Sequence, residues 1–486
     1  MLRDFPLNCK DLFSGKKLIT LGAALSVLPP VGRTTCAQLT ARHTVAVSQN
    51  SFKNDLFFIR FNKIIGECKR TQFFSPCYHK FVHYYVNYFV YTKKCKDVKK
   101  IKGLVPLQSK VFYFMIAFPI GVLVFSIFCL AAIVQLLYYL LYYARLAWFK
   151  PKSDFHTQPP ISVVICAKNE ALKLHKSIPL FFQQEYPQYQ IVVVNDCSVD
   201  ESTDILEEFQ KKYANLHVVE LNEDDIKAHD KKLALTLGIK GAKYEHLLLT
   251  DADCVPGDNQ WIACMARNFS NDKEVVIGYG PYKKTSGFLN KLIRFDAFFI
   301  GLQYLSFSLA GKTYMGVGRN LAYTKTLFFR HKGFASQYHI QSGDDDLFIN
   351  KVATKQNTII ELHPSSFTYS DPKTSLGAWI KQKRRHLTTA KHYKSSHKMM
   401  LGLGSLTQYL FFISFAALLF SSFEPTIVLA IFGLKVVTQI VVLRKSMILM
   451  KESDLLFFAI FFEILLLVFY PIIYIGNAFV KKHKWK

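Results

Sequence analysis

Two aspartates one residue apart, Asp251 and Asp253, offer the clearest chemistry in the chain. They close the stretch Leu247 to Pro256, which reads Leu-Leu-Leu-Thr-Asp-Ala-Asp-Cys-Val-Pro. Carboxylates spaced i and i+2 can share one hard divalent cation, and Mg²⁺ is commonly held by one or two carboxylates plus phosphate oxygens. The apolar run His246–Leu249 before them predicts a buried strand of a parallel sheet. Open α/β sheets bind ligands at the edge where such strands end. A chain with this many aspartates contains about one Asp-x-Asp by chance, and a second occurs at Asp344–Asp346. The pair therefore gains meaning only from the elements around it.

Those elements alternate. Ile161–Cys166, Ile191–Val194, His217–Leu221 and His246–Leu249 read as strands, with helices over Glu170–Phe182, Glu201–Tyr213 and from Lys231 to Gly238 between them. This alternation predicts a doubly wound, parallel α/β sheet. Residues at the ends of adjacent strands then face one crevice: Ala167 and the polar Lys168, Asn169 and Glu170 after the first strand, Asn195 and Asp196 after the second. An acidic side chain there can bond a ribose hydroxyl or a base edge. Lys231 opens a helix, where an ammonium and the helix dipole can meet a phosphate together.

The 486 residues carry a formal charge of +26 and are 50% apolar. Such a charge fits nucleic acid, or a membrane protein with basic flanks. Val111 to Tyr143 is apolar and uncharged, longer than the ~20 residues a membrane span needs, and crowded at its end by tyrosines. Arg145, Lys150 and Lys152 follow. Met399–Phe423, Thr426–Leu443 and Leu455–Val480 are further candidate spans; the middle one is short, carries Lys435, and is expected to be the one that does not cross. The resulting division is a basic extension 1–110, a transmembrane helix 111–145, a cytosolic domain 154–397 and a membrane region 399–480 with two to three segments. Residues 1–110 lack periodicity and are expected to be dispensable, with Met115 as an alternative start. The ten cysteines show no metal-ligand spacing. Cys166, Cys197 and Cys254 read as small buried thiols.

Ile161–Glu170, Asn195–Asp200, Lys231–Leu235 and Thr250–Asp253, in that order and spacing, resemble a family-2 glycosyltransferase of the GT-A (Rossmann-like) fold, of the bacterial membrane-bound inverting type similar to cellulose and hyaluronan synthases. Met315–Asn320 resembles the family's glycine-containing acceptor-side loop. Ser342–Leu347 resembles its Glu-Asp-x-x-Leu segment, and Gln382–His386 its Gln-x-x-Arg-Trp segment. The resemblance covers about residues 155–390.

The resemblance implies a mostly parallel GT-A sheet domain flanked by transmembrane helices, in a multi-pass protein of the plasma (inner) membrane whose catalytic domain faces the cytoplasm. It implies a nucleotide-sugar donor, UDP-linked, and Mg²⁺ or Mn²⁺. Ala167, Asn169, Glu170, Asp196, Lys231 and Asp251 would bind the nucleotide and diphosphate, and Asp251 and Asp253 the metal. Asp344, three residues before Leu347, would be the general base, with Asp345 its rival if the register slips by one. Gln382 and Arg385 would close over the substrates. The chemistry suits these residue types: the departing diphosphate needs positive charge, and the incoming hydroxyl needs a carboxylate to take its proton. One base without a separate nucleophile suits a single displacement with inversion.

Three positions depart from the family pattern: Gly343 replaces an acidic residue, Asp230 a glycine, and His386 the tryptophan that stacks acceptor sugar in polymerising members. The expected activity is therefore addition of one or a few sugars to a lipid-linked or saccharide acceptor in cell-surface polysaccharide or glycolipid synthesis. Membrane lipids are expected partners and nucleic acid is not. A processive synthase that exports its polymer is the alternative within the class. A non-enzymatic basic membrane-binding protein is the alternative outside it, but it leaves the strand-end carboxylates without a purpose.

Overall fold

The computed structural model describes residues 105–152, 158–221, 231–340 and 342–478. Residues Ile116–Lys486 form one compact unit. The expectations for residues 1–110, apart from the start of the first helix, lie outside the described residues.

Helix α1 (Val105–Leu137) runs into a π-helical turn, Tyr138–Tyr143, and a last turn, Ala144–Ala147. Four parallel strands follow with helices between them: β1 (Ile161–Ala167), α2 (Ala171–Phe181), β2 (Tyr189–Asp196), α3 (Ser202–Lys212), β3 (Leu216–Leu221), α4 (Lys231–Gly241) and β4 (His246–Asp251). The strands are nearly continuous runs of Val, Ile and Leu because both faces of the sheet are covered: Val163, Ile191, Val193 and Leu248 are fully buried under one helical layer, Val164, Val192, Leu247 and Leu249 under the other.

The sequence order then leaves the simple alternation. After β5 (Cys254–Pro256), α5 (Trp261–Ala266) and β6 (Val275–Ile277) come α6 (Phe288–Leu309), β7 (Leu321–Thr324), α7 (Lys325–Arg330), α8 (Asp346–Val352), β8 (Thr358–Ile360), β9 (Thr368–Ser370) and α9 (Leu376–Leu387). The main sheet is ordered β3-β2-β1-β4-β7-β6-β8, and β5 pairs separately with β9. Strand β7 is antiparallel to both neighbours, so the sheet is mostly parallel rather than wholly so. These later strands are three or four residues long, too short for a period-2 pattern to reveal them.

Helices α10 (Ser395–Phe420), α11 (Pro425–Leu449) and α12 (Ala459–Ala478) close the chain. Among the described residues, five helical segments are long and apolar enough to cross a membrane: Pro119–Ala147, Phe288–Leu309, Ser395–Phe420, Pro425–Leu449 and Ser453–Gly476. The chain is thus built as a membrane protein. Two of these differ from expectation. The segment holding Lys435 is not short: it is one unbroken helix of 25 residues. Its charge is absorbed: Lys435 is fully buried, donates to Gln439 Oε1 (2.5 Å) and lies 3.6 Å from Glu463. Such pairing is how an ionisable residue is kept inside an apolar bundle. Helix α6 was not foreseen as an apolar helix. It is 67% buried in its most apolar window and packs on β8, on the end of the α1 segment and on α12.

Helix α1 is fastened to α10 by polar contacts between otherwise apolar faces. Gln135 Nε2 donates to the Gly404 carbonyl and to Thr407 Oγ1, both at 2.8 Å, and the Tyr138 hydroxyl to the Met400 carbonyl at 2.6 Å. Their outer faces expose Leu123, Leu130, Ile133, Leu403, Leu406 and Ile413. Lipid-facing side chains of this kind are what a membrane-embedded bundle presents.

Candidate active site

Strand register brings the carboxylates to one edge. Cys166 of β1 pairs with Asp251 of β4, and Ala167 with Asn195 of β2, so Asp196, Ala167 and Asp251 leave the sheet side by side. The two adjoining loops are tied together. Asn169, at φ 54°, accepts from the Val199 amide through Oδ1 (2.8 Å), and its own amide donates to Ser198 Oγ (2.9 Å). The Ala171 amide donates to Asp200 Oδ2 at 3.1 Å. Asn169 thus shapes this loop, and the Glu170 carboxylate is engaged by Lys173 at 2.6 Å. Asp196 is buried, with Lys168 Nζ 3.9 Å from its carboxylate.

The centre of the crevice is Lys231, the first residue of α4. Its Nζ lies 2.8 Å from Asp251 Oδ1 and 2.8 Å from Asp344 Oδ2. Burial disfavours the ammonium, but the charges of Asp251 and Asp344 hold it well above its ordinary value. Burial likewise opposes ionisation of Asp344, and Lys231 overcomes it, leaving that carboxyl below its usual range. Asp344 is therefore an ionised carboxylate. Cys166, Lys231, Thr250, Asp251, Gly318, Asp344 and Asp345 line one small cavity, so residues far apart in the chain meet here.

The neighbouring aspartates differ in environment. Asp345 caps α8, accepting from the Asp346 amide and, through its other oxygen, from the Gly318 amide, both at 2.7 Å. Burial and the charges of Asp344 and Asp346 push its carboxyl up to about 7. Asp346 is buried, and its carboxylate accepts from the hydroxyls of Thr389 and Tyr393. Gly343 takes φ +102°, and a Cβ there would come 2.4 Å from Leu347 Cδ1. The family's acidic residue is therefore incompatible with this backbone, which accounts for the departure seen in the sequence.

Asp251, Asp253 and Cys254 each present a ligand atom within 4.8 Å of the others. Burial and the Asp253 and Asp251 charges push the Cys254 thiol well above its ordinary value, so it stays neutral and unsuited to a hard cation. The two carboxylates remain, a donor set that fits Mg²⁺ or Mn²⁺.

The far wall comes from α9 and the loop before β7. Gln382 Nε2 donates to the Tyr282 hydroxyl at 3.2 Å. Over the Tyr282 ring, at 4.4 Å, sits the Arg319 guanidinium, which also donates to Ser370 Oγ. Thr250 Oγ1, next to Asp251, and Thr368 Oγ1 both donate to the Arg319 carbonyl. Arg319 and Tyr282 were missed as site residues in the sequence. Arg319 lies in the recognised Gly-x-Gly-Arg-Asn stretch, whereas no pattern marks Tyr282. Arg385 is exposed and makes no salt bridge among the described residues. His386 is open to solvent, yet surrounding protein and the charges of Arg385, Lys383 and Arg319 hold its imidazole well below the usual value.

Cys166 and Cys197 are half-buried and only Cys254 of the three expected thiols is fully buried; none of the three is in a disulfide among the described residues.

Residues 162–330 match the model of "Glycosyl transferase family 2". A poly-beta-1,6-N-acetyl-D-glucosamine synthase of Staphylococcus epidermidis is 31% identical over 163 residues, which are 33% of this chain and 38% of that protein. A poly(ribitol-phosphate) beta-glucosyltransferase of Bacillus spizizenii is 30% identical over 129 residues, 26% of this chain and 20% of that protein. Among solved structures, a mannosyltransferase from Pyrobaculum calidifontis, in complex with GDP-Man and Mn²⁺, aligns over 70% of this chain and 97% of its own with 19% identity and a TM-score of 0.45. The chain spans well under half the length of these curated relatives. With the strand-end carboxylates in place and the family match beginning inside β1, the chain carries a glycosyl transferase family 2 domain over residues 162–330.

Proposed function

We propose that this protein is a membrane-anchored, inverting glycosyltransferase. It transfers a sugar from a UDP-sugar to a lipid-linked or saccharide acceptor in cell-surface polysaccharide or glycolipid synthesis. The observation that carries this reading is Lys231, whose ammonium bridges the strand-end carboxylate Asp251 and the carboxylate of Asp344. A cationic site for a diphosphate and a base for a hydroxyl are thereby neighbours.

Each residue has a task in this reading. Asp196, with Ala167, Asn169 and Glu170 at the same edge, receives the uracil and ribose. Asp251 and Asp253 would hold Mg²⁺ or Mn²⁺, which when bound neutralises the departing diphosphate. Lys231 turns its ammonium to the diphosphate, and the exposed Arg385 adds charge from the opposite wall. Gln382, fixed by Tyr282, helps close the cleft. Asp344, kept ionised, accepts the proton of the acceptor hydroxyl as it attacks the anomeric carbon, and the UDP leaves from the other face. No second carboxylate is needed as nucleophile, hence inversion.

The proposed division is an anchor over 111–145, a catalytic domain over 154–397 and a membrane region over 399–480. Helices α10 and α11 form an antiparallel pair whose far ends meet near Phe423, beside Gly121 of α1. Segment Ser453–Gly476 is different. Asp454 at its start binds Arg294 and Lys284, and Gly476 at its end lies against Arg384. A crossing helix would carry one end ~30 Å away, across the hydrocarbon. Three segments therefore cross (α1, α10 and α11), and α12 lies obliquely with both ends on the catalytic side. Lys150, Lys152 and Lys391–Lys398 then share the cytoplasmic face, in keeping with the positive-inside rule.

The test is a screen of UDP-sugars with the purified protein and membrane lipid extract, read by mass spectrometry of the product. One or a few added sugars with inverted anomeric configuration supports the reading. Long polymer made from UDP-sugar alone would replace it by the processive synthase, overturning the inference drawn from His386. Failure of every nucleotide-sugar to bind would leave only the membrane-binding alternative.

A further inference from the structure

Helix α9 presents two faces with different neighbours. Gln382 and Arg385 belong to the cleft. Trp379 and Lys383, one turn apart, are buried on the other side. The Trp379 ring meets Phe469 of α12 edge-on, with centroids 6.2 Å apart. The Lys383 ammonium forms a salt bridge with Asp296 of α6, whose other carboxylate oxygen accepts from the Tyr470 hydroxyl of α12. Asp296 is 1% exposed and Lys383 8%. Nearly two turns further along α12, a Cβ at Gly476 would lie 2.9 Å from Arg384 Nη2.

The other half of α12 is held equally firmly. Glu463 is buried and accepts from Gln408 Nε2 of α10 (2.5 Å) and Gln439 Nε2 of α11 (2.6 Å), with Lys435 3.6 Å away. Tyr409 of α10 donates to the Leu467 carbonyl at 2.7 Å. Helix α12 is thus bonded to the membrane pair at one level and to the catalytic helix at the next.

We propose that Asp296 and Tyr470 are positioning residues that set the rotation of α9, and with it the placement of Gln382 and Arg385, by holding Lys383. The physical argument is that α9 carries Lys381, Lys383, Arg384 and Arg385 within five residues. Any of the first three could turn inward if the helix rolled, and roughly 100° separates consecutive residues. A buried ammonium needs a partner that returns its desolvation cost. Asp296 provides that partner only in the register in which Lys383 is inward, and Tyr470 fixes the orientation of the Asp296 carboxylate. The membrane bundle thereby fixes a helix of the cleft.

This inference rests on the transferase reading for its kinetic arm but not for its conformational one. Asp296→Asn, Tyr470→Phe and the exchanged pair Lys383→Asp with Asp296→Lys are compared with the unaltered protein in detergent. Tryptic cleavage after Lys381 or Arg385, sites that every variant retains, should quicken in the two single variants and return toward the original rate in the exchanged pair. The transfer rate should fall roughly 10- to 100-fold, as misplacement by about 1 Å can cost, and recover in the exchanged pair. Tryptic protection equal to the unaltered protein in both single variants would overturn the proposal, as would failure of the exchanged pair to regain protection. If the unaltered protein transfers no sugar, the transferase reading falls while the protection result still decides this one.

Discussion

Replacing Lys231 by Met isolates the charge on which the cleft is built. Its ammonium stands 2.8 Å from a carboxylate oxygen of Asp251 and of Asp344, with side chains 18%, 32% and 12% exposed. At an effective dielectric of ~20 each contact is worth about 6 kcal/mol gross. Desolvation offsets most of that, and removing one partner of a buried pair costs ~3–5 kcal/mol in measured cases. The one-third exposure of Asp251 argues for the low end, about 3 kcal/mol. For a domain of this size that lowers the unfolding temperature by about 6–12 °C.

The pH dependence carries the sharper test. In the unaltered protein Asp344 titrates below its ordinary value, so its contribution is present above the unfolded carboxylate value and is lost as pH falls through the folded one. Without Lys231 the largest opposing charge is gone, and burial raises the Asp344 carboxyl against its backbone hydrogen bond and the Lys232 charge. A raised carboxyl loses stability as pH rises through the carboxylate range toward neutrality. The deficit of the Lys231→Met variant should therefore already be present near about pH 4.5 and be larger near about pH 8. Thermal unfolding of both proteins in the same detergent at the two pH values measures it. A deficit that is equal at both, or larger in acid, would refute the assignment of Lys231 as counter-ion of Asp344.

Gly343→Ala should destabilise the protein by ~1–3 kcal/mol, because it imposes a side chain on a left-handed backbone and drives it into Leu347; unchanged thermal unfolding would contradict that geometry. Asp253→Ala should abolish transfer in a protein that still inserts, and chelation should do the same to the unaltered enzyme. Full activity in excess EDTA would remove the metal from the account. A cysteine label or reporter at Lys486 should lie on the cytoplasmic side; an external position would mean that α12 crosses.

The nucleotide half of the fold was legible because each element is long and repeats a pattern. Ile161–Cys166 and His246–Leu249 are solid apolar runs, and α3 begins and ends within one residue of the expected Glu201–Tyr213. The acceptor half was not. Strands β6, β7 and β8 are too short to alternate, and α6 hides its apolar character behind Lys291, Arg294 and Asp296. Those charges look like a surface in the sequence but are paired inward, Arg294 with Glu452 and Asp454, and Asp296 with Lys383. Lys435 misled for the same reason: a charge in an apolar run signals a break only if no partner exists, and Glu463 lies in another helix. Site residues at strand ends could be read from register alone, whereas the encounter of Lys231 with Asp344, and of Gln382 with Tyr282, depends on tertiary packing over about a hundred residues.

The central claim is that Asp344 deprotonates the acceptor while the donor is held by other residues. Its direct test is Asp344→Asn, with UDP-sugar affinity measured by calorimetry and transfer measured on the same preparation. Donor affinity should persist and transfer should drop by the ~10²–10⁴-fold that general base catalysis supplies. Transfer at the original rate by Asp344→Asn, with Asp345→Asn inactive instead, would contradict it and put the base one residue along the chain.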